Sequence, residues 1–229
     1  YLRQLGMPVE RIFTKRAVAD VDLFLSCAKE PERRPPYKVL LYVGRFSGEK
    51  NLELLLRAFA RVPQSGVAPK LVLALVGYGP LEDRLHMMVN ELRLHGLVEF
   101  WGPKLQAELP SIYAQADVFV LPSRRETWGL VVLEAMLCGL PVLVSDRCGC
   151  AADLVTTDTG WCFDPYDEAS LVRLLERIAG LPREELRRMG QAGKALASQY
   201  SPQNCARIVI ATIEKVLQEK QGGPCVSAC

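Results

Sequence analysis

Four charged residues stand where chemistry could begin: Arg45, Lys50, Glu126 and Glu134. Arg45 and Lys50 lie in GRFSGEKN, residues 44–51, directly after a short apolar run. Guanidinium and ammonium groups bind phosphate oxygens strongly, so two cations in one loop suit an anionic ligand such as a diphosphate. The plainer alternative is a solvated loop with two surface charges. Glu126 and Glu134 lie in RRETWGLVVLEAMLCGLPVLVSD, residues 124–146, where Glu134 is the one charge between Leu130 and Val144. A buried carboxylate without partners costs several kcal/mol or takes up a proton. Glu134 therefore needs either a structural ion pair, for instance with Arg45, or hydroxyl groups of a ligand. Two vicinal hydroxyls of a ribose are a common partner for such a carboxylate. Glu126 sits just ahead of a helix start, where free N–H groups and the helix dipole favour an anion. Cations and helix start suit a diphosphate, and the carboxylates suit hydroxyl-rich groups on either side of it. The joint ligand is a nucleotide bearing a sugar.

The elements that must hold these residues are legible as a periodic pattern. Apolar, β-branched runs at 38–44, 71–77, 97–102, 117–122, 141–145 and 160–163 predict six buried strands. Helical spacing predicts helices at 49–62, 80–95, 106–116, 128–138, 167–179, 183–199 and 203–219. Strands that are apolar throughout and alternate with helices predict an α/β, doubly wound, Rossmann-like parallel sheet with helices on both faces. In such sheets ligands bind beyond the carboxyl ends of the strands, so Gly44, the GYGP turn at Gly77, and the loop after 102 join the candidate site. GRFSGEKN is not a P-loop, since three residues rather than four separate Gly44 from Gly48. GYGP is not a dinucleotide fingerprint either, because Glu82 stands where the third glycine belongs.

Composition narrows the classes. The chain has 229 residues with 28 basic and 26 acidic side chains, a net charge of +2, which gives no support for nucleic acid as the partner. Its longest apolar run is broken by Glu134, Gly139 and Pro141, so no transmembrane segment is expected. Eight cysteines in a chain this long read as reduced thiols of a cytoplasmic protein, without zinc-site spacing, and no metal is expected. Residues 1–37 read as an interdomain arm ending in the proline-rich linker KEPERRPP, residues 38–219 as the sugar-nucleotide domain, and 220–229 as a flexible tail. The chain opens on Tyr1, which reads as a piece of a longer protein.

With these pieces in order, the sequence resembles the carboxyl-terminal, donor-binding domain of the GT-B fold, family-four retaining glycosyltransferases (glycosyl transferases group 1). The family's E-x-F-G-x-x-x-x-E signature is met by Glu126, Thr127, Trp128, Gly129 and Glu134, with Trp for Phe. GRFSGEKN matches G-R-x-x-x-x-K-N, GYGP matches G-x-G-P, FWG (100–102) matches F-x-G, and YAQADVFVLPS matches Y-x-x-A-D-x-x-v-x-P-S. The resemblance implies one half of a GT-B fold in a nucleotide-sugar-dependent hexosyltransferase, retaining and metal-independent, with no cofactor beyond the nucleoside-diphosphate sugar donor. It implies that Arg45 and Lys50 neutralise the diphosphate, Glu126 binds the transferred sugar and Glu134 the ribose. The backbone at Trp128, Gly129, Leu130 and Val131 would cap the phosphates, the base would lie near Gly77 and the Trp101, Gly102 to Lys104 loop, and Gly44 would also contact the donor.

The sequence also departs from that pattern. ADVD (19–22) stands for N-G-V-D, and GCAAD (149–153) keeps Gly149 but carries Asp153 for Glu. The amino-terminal GT-B domain, which binds the acceptor (a lipid, glycan or small metabolite), is missing. Donor binding without much turnover is therefore expected, in the cytoplasm, with any peripheral membrane contact made through the missing domain. Other readings are a nucleotide-binding module, a GT-B-like sugar-nucleotide epimerase, or a nicotinamide oxidoreductase domain, the last disfavoured by the missing glycine fingerprint.

Overall fold

The computed structural model describes residues 4–7, 18–25, 35–63 and 71–221. Most of the charged linker, up to residue 34, and the tail from residue 222 lie outside the described residues. Six strands form one sheet: β1 (Lys38–Val43), β2 (Leu71–Val76), β3 (Val98–Gly102), β4 (Val118–Leu121), β5 (Val142–Ser145) and β6 (Gly160–Phe163). All pairings are parallel, in the order β3-β2-β1-β4-β5-β6. Every residue of β1, β2, β4 and β5 is buried. Successive side chains of a strand point to opposite faces, so burial at every position means that both faces are covered. The chain leaves β1 in one direction and returns to its other side at β4. That reversal opens a crevice at the carboxyl ends of β1 and β4.

Around the sheet lie α1 (Val21–Leu25), α2 (Leu52–Ala60), α3 (Glu82–Glu91), α4 (Leu109–Tyr113), α5 (Leu130–Leu137), α6 (Ala151–Leu154), α7 (Glu168–Gly180), α8 (Arg183–Ala197) and α9 (Pro202–Gln221). Most follow the sequence pattern, but three places differ for physical reasons. The helix expected over 49–62 is interrupted, with a 3-10 turn at Gly48–Lys50, Asn51 left-handed at φ 58°, and α2 beginning at Leu52. Asparagine tolerates that backbone, and here its buried amide donates to the carbonyls of Pro122 and Pro165 at 3.2 and 3.0 Å. The interruption turns Lys50 off the axis of α2. The arm is more than a linker, because α1 packs against α5 and buries Phe24 completely. Finally, α9 runs to Gln221, past the expected tail boundary.

The cysteines also differ from the reduced-thiol reading. Cys138 is disulfide-bonded, while Cys148, Cys150, Cys162 and Cys205 are free. Among the described residues no helix is long and apolar enough to cross a membrane, and no group of three or more His, Cys, Asp or Glu is placed to hold a metal.

Candidate functional site

Two clefts open at the carboxyl ends of the strands, and both are bounded by Val43 and Gly44 at the end of β1. The larger, about 660 Å³, lies on the β2 side, with Arg45, Gly77, Tyr78, Lys104 and Leu109 in its wall. The smaller, about 410 Å³, lies on the β4 side and is walled by Lys50 and the run from Glu126 to Val131.

The loops forming the first cleft are tied to one another through the backbone. Phe46 donates its N–H to Tyr78 at 2.9 Å, Leu81 donates back to Phe46 at 3.0 Å, and Gly77 donates to the Gly102 carbonyl at 3.0 Å. Gly77 has φ 133°, and a Cβ there would come within 1.9 Å of the Gly44 carbonyl oxygen. Only glycine fits, so the two strand ends close up and their backbones line the cavity. The buried phenol of Tyr42 donates to the Arg45 carbonyl at 2.9 Å and fixes the loop, leaving the Arg45 side chain exposed at the rim.

The second cleft is built across β1, β4 and β5. Arg124 donates its N–H to the Glu49 carbonyl at 2.8 Å, which joins the Lys50 loop to the Glu126 loop. The Lys50 ammonium then forms an ion pair with Glu126, both side chains half-buried. An ammonium has three donors and a carboxylate several acceptor sites, so the pair leaves each able to bind a ligand as well. The loop after β5 braces this segment from behind, as Gly149 donates to Glu126 at 3.1 Å and Cys150 to Trp128 at 2.8 Å. A Cβ on Gly149 would meet the Thr127 oxygen at 2.2 Å. The Gly149 of the atypical GCAAD run is therefore needed where it stands. Gly129, at φ 104°, begins α5 and turns its first residues toward the cleft. Cys148 and Cys150 are buried here, and burial pushes the Cys148 thiol up to about 12 and the Cys150 thiol higher. These thiols are poor nucleophiles at neutral pH.

Glu134 answers the sequence question in a way not foreseen. It is half-buried and forms no ion pair with Arg45, which lies at the β2-side rim. Instead its Oε2 accepts a hydrogen bond of 3.0 Å from the phenol of Tyr113. The expectation that a ligand alone completes its bonding is corrected in that respect. Burial raises the Glu134 carboxyl above its ordinary value, and the Tyr113 hydrogen bond partly opposes that rise.

Most of the expected residues are brought together. Gly44, Lys50, Glu126, Trp128, Gly129, Leu130 and Val131 line the β4-side cleft, and Gly44, Arg45 and Gly77 the other. Trp101 and Gly102 do not line it, and Glu134, one turn further into α5 than Val131, lines neither cleft. The Trp101 indole donates to Glu99 at 2.9 Å, and Gly102 acts from below through its carbonyl. Pro103 and Lys104 take their place in the wall. Sequence reasoning missed Tyr42 and Tyr113 as parts of the site. Each carries a polar hydroxyl in an otherwise apolar stretch, a signal of the same kind as Glu134.

The profile of the family described as glycosyl transferases group 1 matches residues 28–196. The chain belongs to this family. It is 35% identical over 175 residues to the sulfoquinovosyl transferase SQD2 of Arabidopsis thaliana, covering 75% of this chain and 31% of that protein. It is 31% identical over 221 residues to the O-antigen chain mannosyltransferase B of Escherichia coli, covering 89% of this chain and 54% of that protein. Among solved structures, Anabaena Alr3699/HepE in complex with UDP and glucose aligns with a TM-score of 0.65 at 26% identity, over 80% of this chain and 48% of that one. The apo lipopolysaccharide outer core galactosyltransferase WaaB shares the fold, with a TM-score of 0.77 at 21% identity over 94% of this chain and 58% of that one. This group 1 chain thus spans from about a third to about half the length of these curated relatives.

Proposed function

We propose that this chain is the donor-binding half of a nucleotide-sugar-dependent, retaining, metal-independent hexosyltransferase. The observation that carries the reading is the meeting of the two clefts at Val43 and Gly44. A cation stands in each, Arg45 on one side and Lys50 on the other, with Glu126 beside Lys50. A three-part ligand fits that order: base in the glycine-lined cleft, diphosphate between the cations and the start of α5, and sugar hydroxyls on Glu126. Glu134 accepts from the ribose hydroxyls. As the sugar leaves, negative charge grows on the diphosphate, and Arg45, Lys50 and the N–H groups at the start of α5 stabilise it without reorganising. The cations do the work that a metal would otherwise do. The names of the relatives, transferases of sulfoquinovose and mannose, and the complex of HepE with UDP and glucose support this donor class.

The acceptor, a lipid, glycan or small metabolite, is assigned in this reading to the amino-terminal domain that the family resemblance implies. Any membrane contact of the otherwise cytoplasmic enzyme is made there. The chain by itself is expected to bind donor and transfer little. Calorimetric titration with uridine, guanosine and adenosine diphosphates tests the reading. One of the three should bind, and the corresponding nucleoside should bind far more weakly. Equal affinity for nucleoside and nucleoside diphosphate would overturn it, since the cations would then have no part in recognition.

A further inference from the structure

We infer that Tyr113 is a positioning residue for donor binding, holding the Glu134 carboxylate so that its remaining acceptor sites meet the ribose hydroxyls. The inference rests on the donor-binding reading above. Tyr113 ends α4, the helix whose first residue, Leu109, lines the β2-side cleft. Its ring is wholly buried and held edge-on against Phe24 of α1 and Phe119 of β4, with centroids 6.0 and 5.9 Å away. The ring has no room to swing, so the phenol oxygen is fixed. It lies 3.0 Å from Glu134 Oε2 and 3.4 Å from the carbonyl of Val131, which lines the β4-side cleft. Tyr113 itself lines neither of these clefts and borders the cavity beside Asp117, so it reaches the β4-side cleft only through Glu134 and Val131 of α5.

A phenol has one proton, and the shorter contact gives it to the carboxylate. Burial and the neighbouring carboxylate hold the Tyr113 hydroxyl well above its ordinary value, so it is a donor at neutral pH. One carboxylate oxygen is thereby oriented, and the other is left for a ligand. The bond has a second effect, because it opposes the upward shift that burial imposes on Glu134. The elements packed on α5 are α1, α8, β4 and β5, and among the described residues none of their ionisable groups, Asp22 of α1 or Arg183 to Lys194 of α8, shifts Glu134. Among the described residues Tyr113 is the one ionisable group that does so.

The test uses the nucleoside diphosphate that binds best of the three above, together with its 2′,3′-dideoxy counterpart. Both are titrated calorimetrically from about pH 4.5, near the ordinary carboxylate value, to about pH 8.5. The proteins are the wild-type chain, Tyr113→Phe, Glu134→Gln and the double variant, each checked for folding by thermal melting. Tyr113→Phe should weaken the ribonucleotide roughly three- to tenfold at neutral pH, the worth of one lost hydrogen bond. It should leave the dideoxy compound unchanged. The wild-type preference for the ribonucleotide over its dideoxy counterpart, in which the titration of the shared terminal phosphate cancels, should fall as pH falls, and in Tyr113→Phe that fall should begin at higher pH. Glu134→Gln should lack the fall, and adding Tyr113→Phe to it should not restore it.

A Tyr113→Phe variant that weakens both compounds alike, or leaves the pH at which the ribonucleotide preference falls in place, would overturn the positioning role. If Tyr113→Phe does not fold, Glu134→Gln decides, and a ribonucleotide preference that still falls with pH in it sinks the proposal. A wild type that binds ribo and dideoxy compounds equally would overturn the role of Glu134 along with that of Tyr113. Failure to bind any nucleoside diphosphate would instead bring down the donor-binding reading on which both depend.

Discussion

At the amino ends of β1 and β4, Asp117 accepts from the Arg183 guanidinium at 2.8 Å and from the Val39 N–H at 2.8 Å. Arg183 also donates to the Tyr37 carbonyl, and Lys38, 1% exposed, donates its ammonium to the Ala179 carbonyl at 2.6 Å. At the carboxyl ends of the same two strands, Lys50 and Glu126 are half-buried, Arg45 is exposed, and Glu134 has one oxygen engaged by Tyr113. The amino-end charges are closed by the protein's own groups, whereas the carboxyl-end charges keep bonding capacity for something else. Buried charge left incomplete costs stability. A fold that completes it at one end of a sheet and leaves it open at the other has placed a binding site at the open end. A cleft also exists at the closed end, walled by Asp117, Arg183, Arg187 and Lys194, but Asp117 and Arg183 neutralise each other there.

The sharpest way to break this comparison is Asp117→Ala, which strips Arg183 of its partner and the Val39 N–H of its acceptor. Urea denaturation should show a loss of roughly 2–4 kcal/mol, because Asp117 is buried and its removal leaves both the Val39 N–H and the Arg183 guanidinium without their acceptor. The nucleotide affinity of the protein still folded should not change. Lys50→Ala is the mirror experiment. It should cost the fold only about 1 kcal/mol, as befits a partly exposed pair. It should also weaken nucleoside diphosphate binding by about ten- to a hundredfold, the worth of a hydrogen bond from a charged group. A Lys50→Ala variant that loses stability but not affinity would make the two ends alike and end the distinction.

The smallest effect concerns pH. Burial raises the Glu134 carboxyl, so the folded state holds that proton more tightly than the unfolded chain. The resulting stability is fully present below the ordinary carboxylate value and is lost as pH rises through the raised one. Glu134→Gln keeps an acceptor for Tyr113 and removes this loss. The variant should therefore melt at a higher temperature than wild type at neutral pH, with the difference vanishing toward about pH 4. A variant less stable than wild type at neutral pH would place Glu134 among the closed, structural charges.

The strands were legible because each is an unbroken apolar run, as in LVLALV of β2. The four charged residues were legible because they interrupt or end such runs. Their partners were not. Lys50 and Glu126 are 76 residues apart, and Tyr113 and Glu134 are 21 apart on different helices. No periodicity relates such pairs. Phe24 was read as part of an arm because a five-residue helix is too short to show a pattern. Lys38 was read as the plain start of a strand, yet it is buried, because α7 brings the Ala179 carbonyl over it.

The sequence by itself therefore determined the sheet, the order of its elements and the residue types gathered at the strand ends. Hydrophobic period and turn chemistry are local properties that short windows carry. The tertiary structure alone decided which charges are paired, which stay open, and that a phenol rather than a guanidinium meets Glu134. Such pairings depend on where distant elements come to rest against the sheet, and a hydrogen bond that is made at 3 Å is lost within another ångström or so.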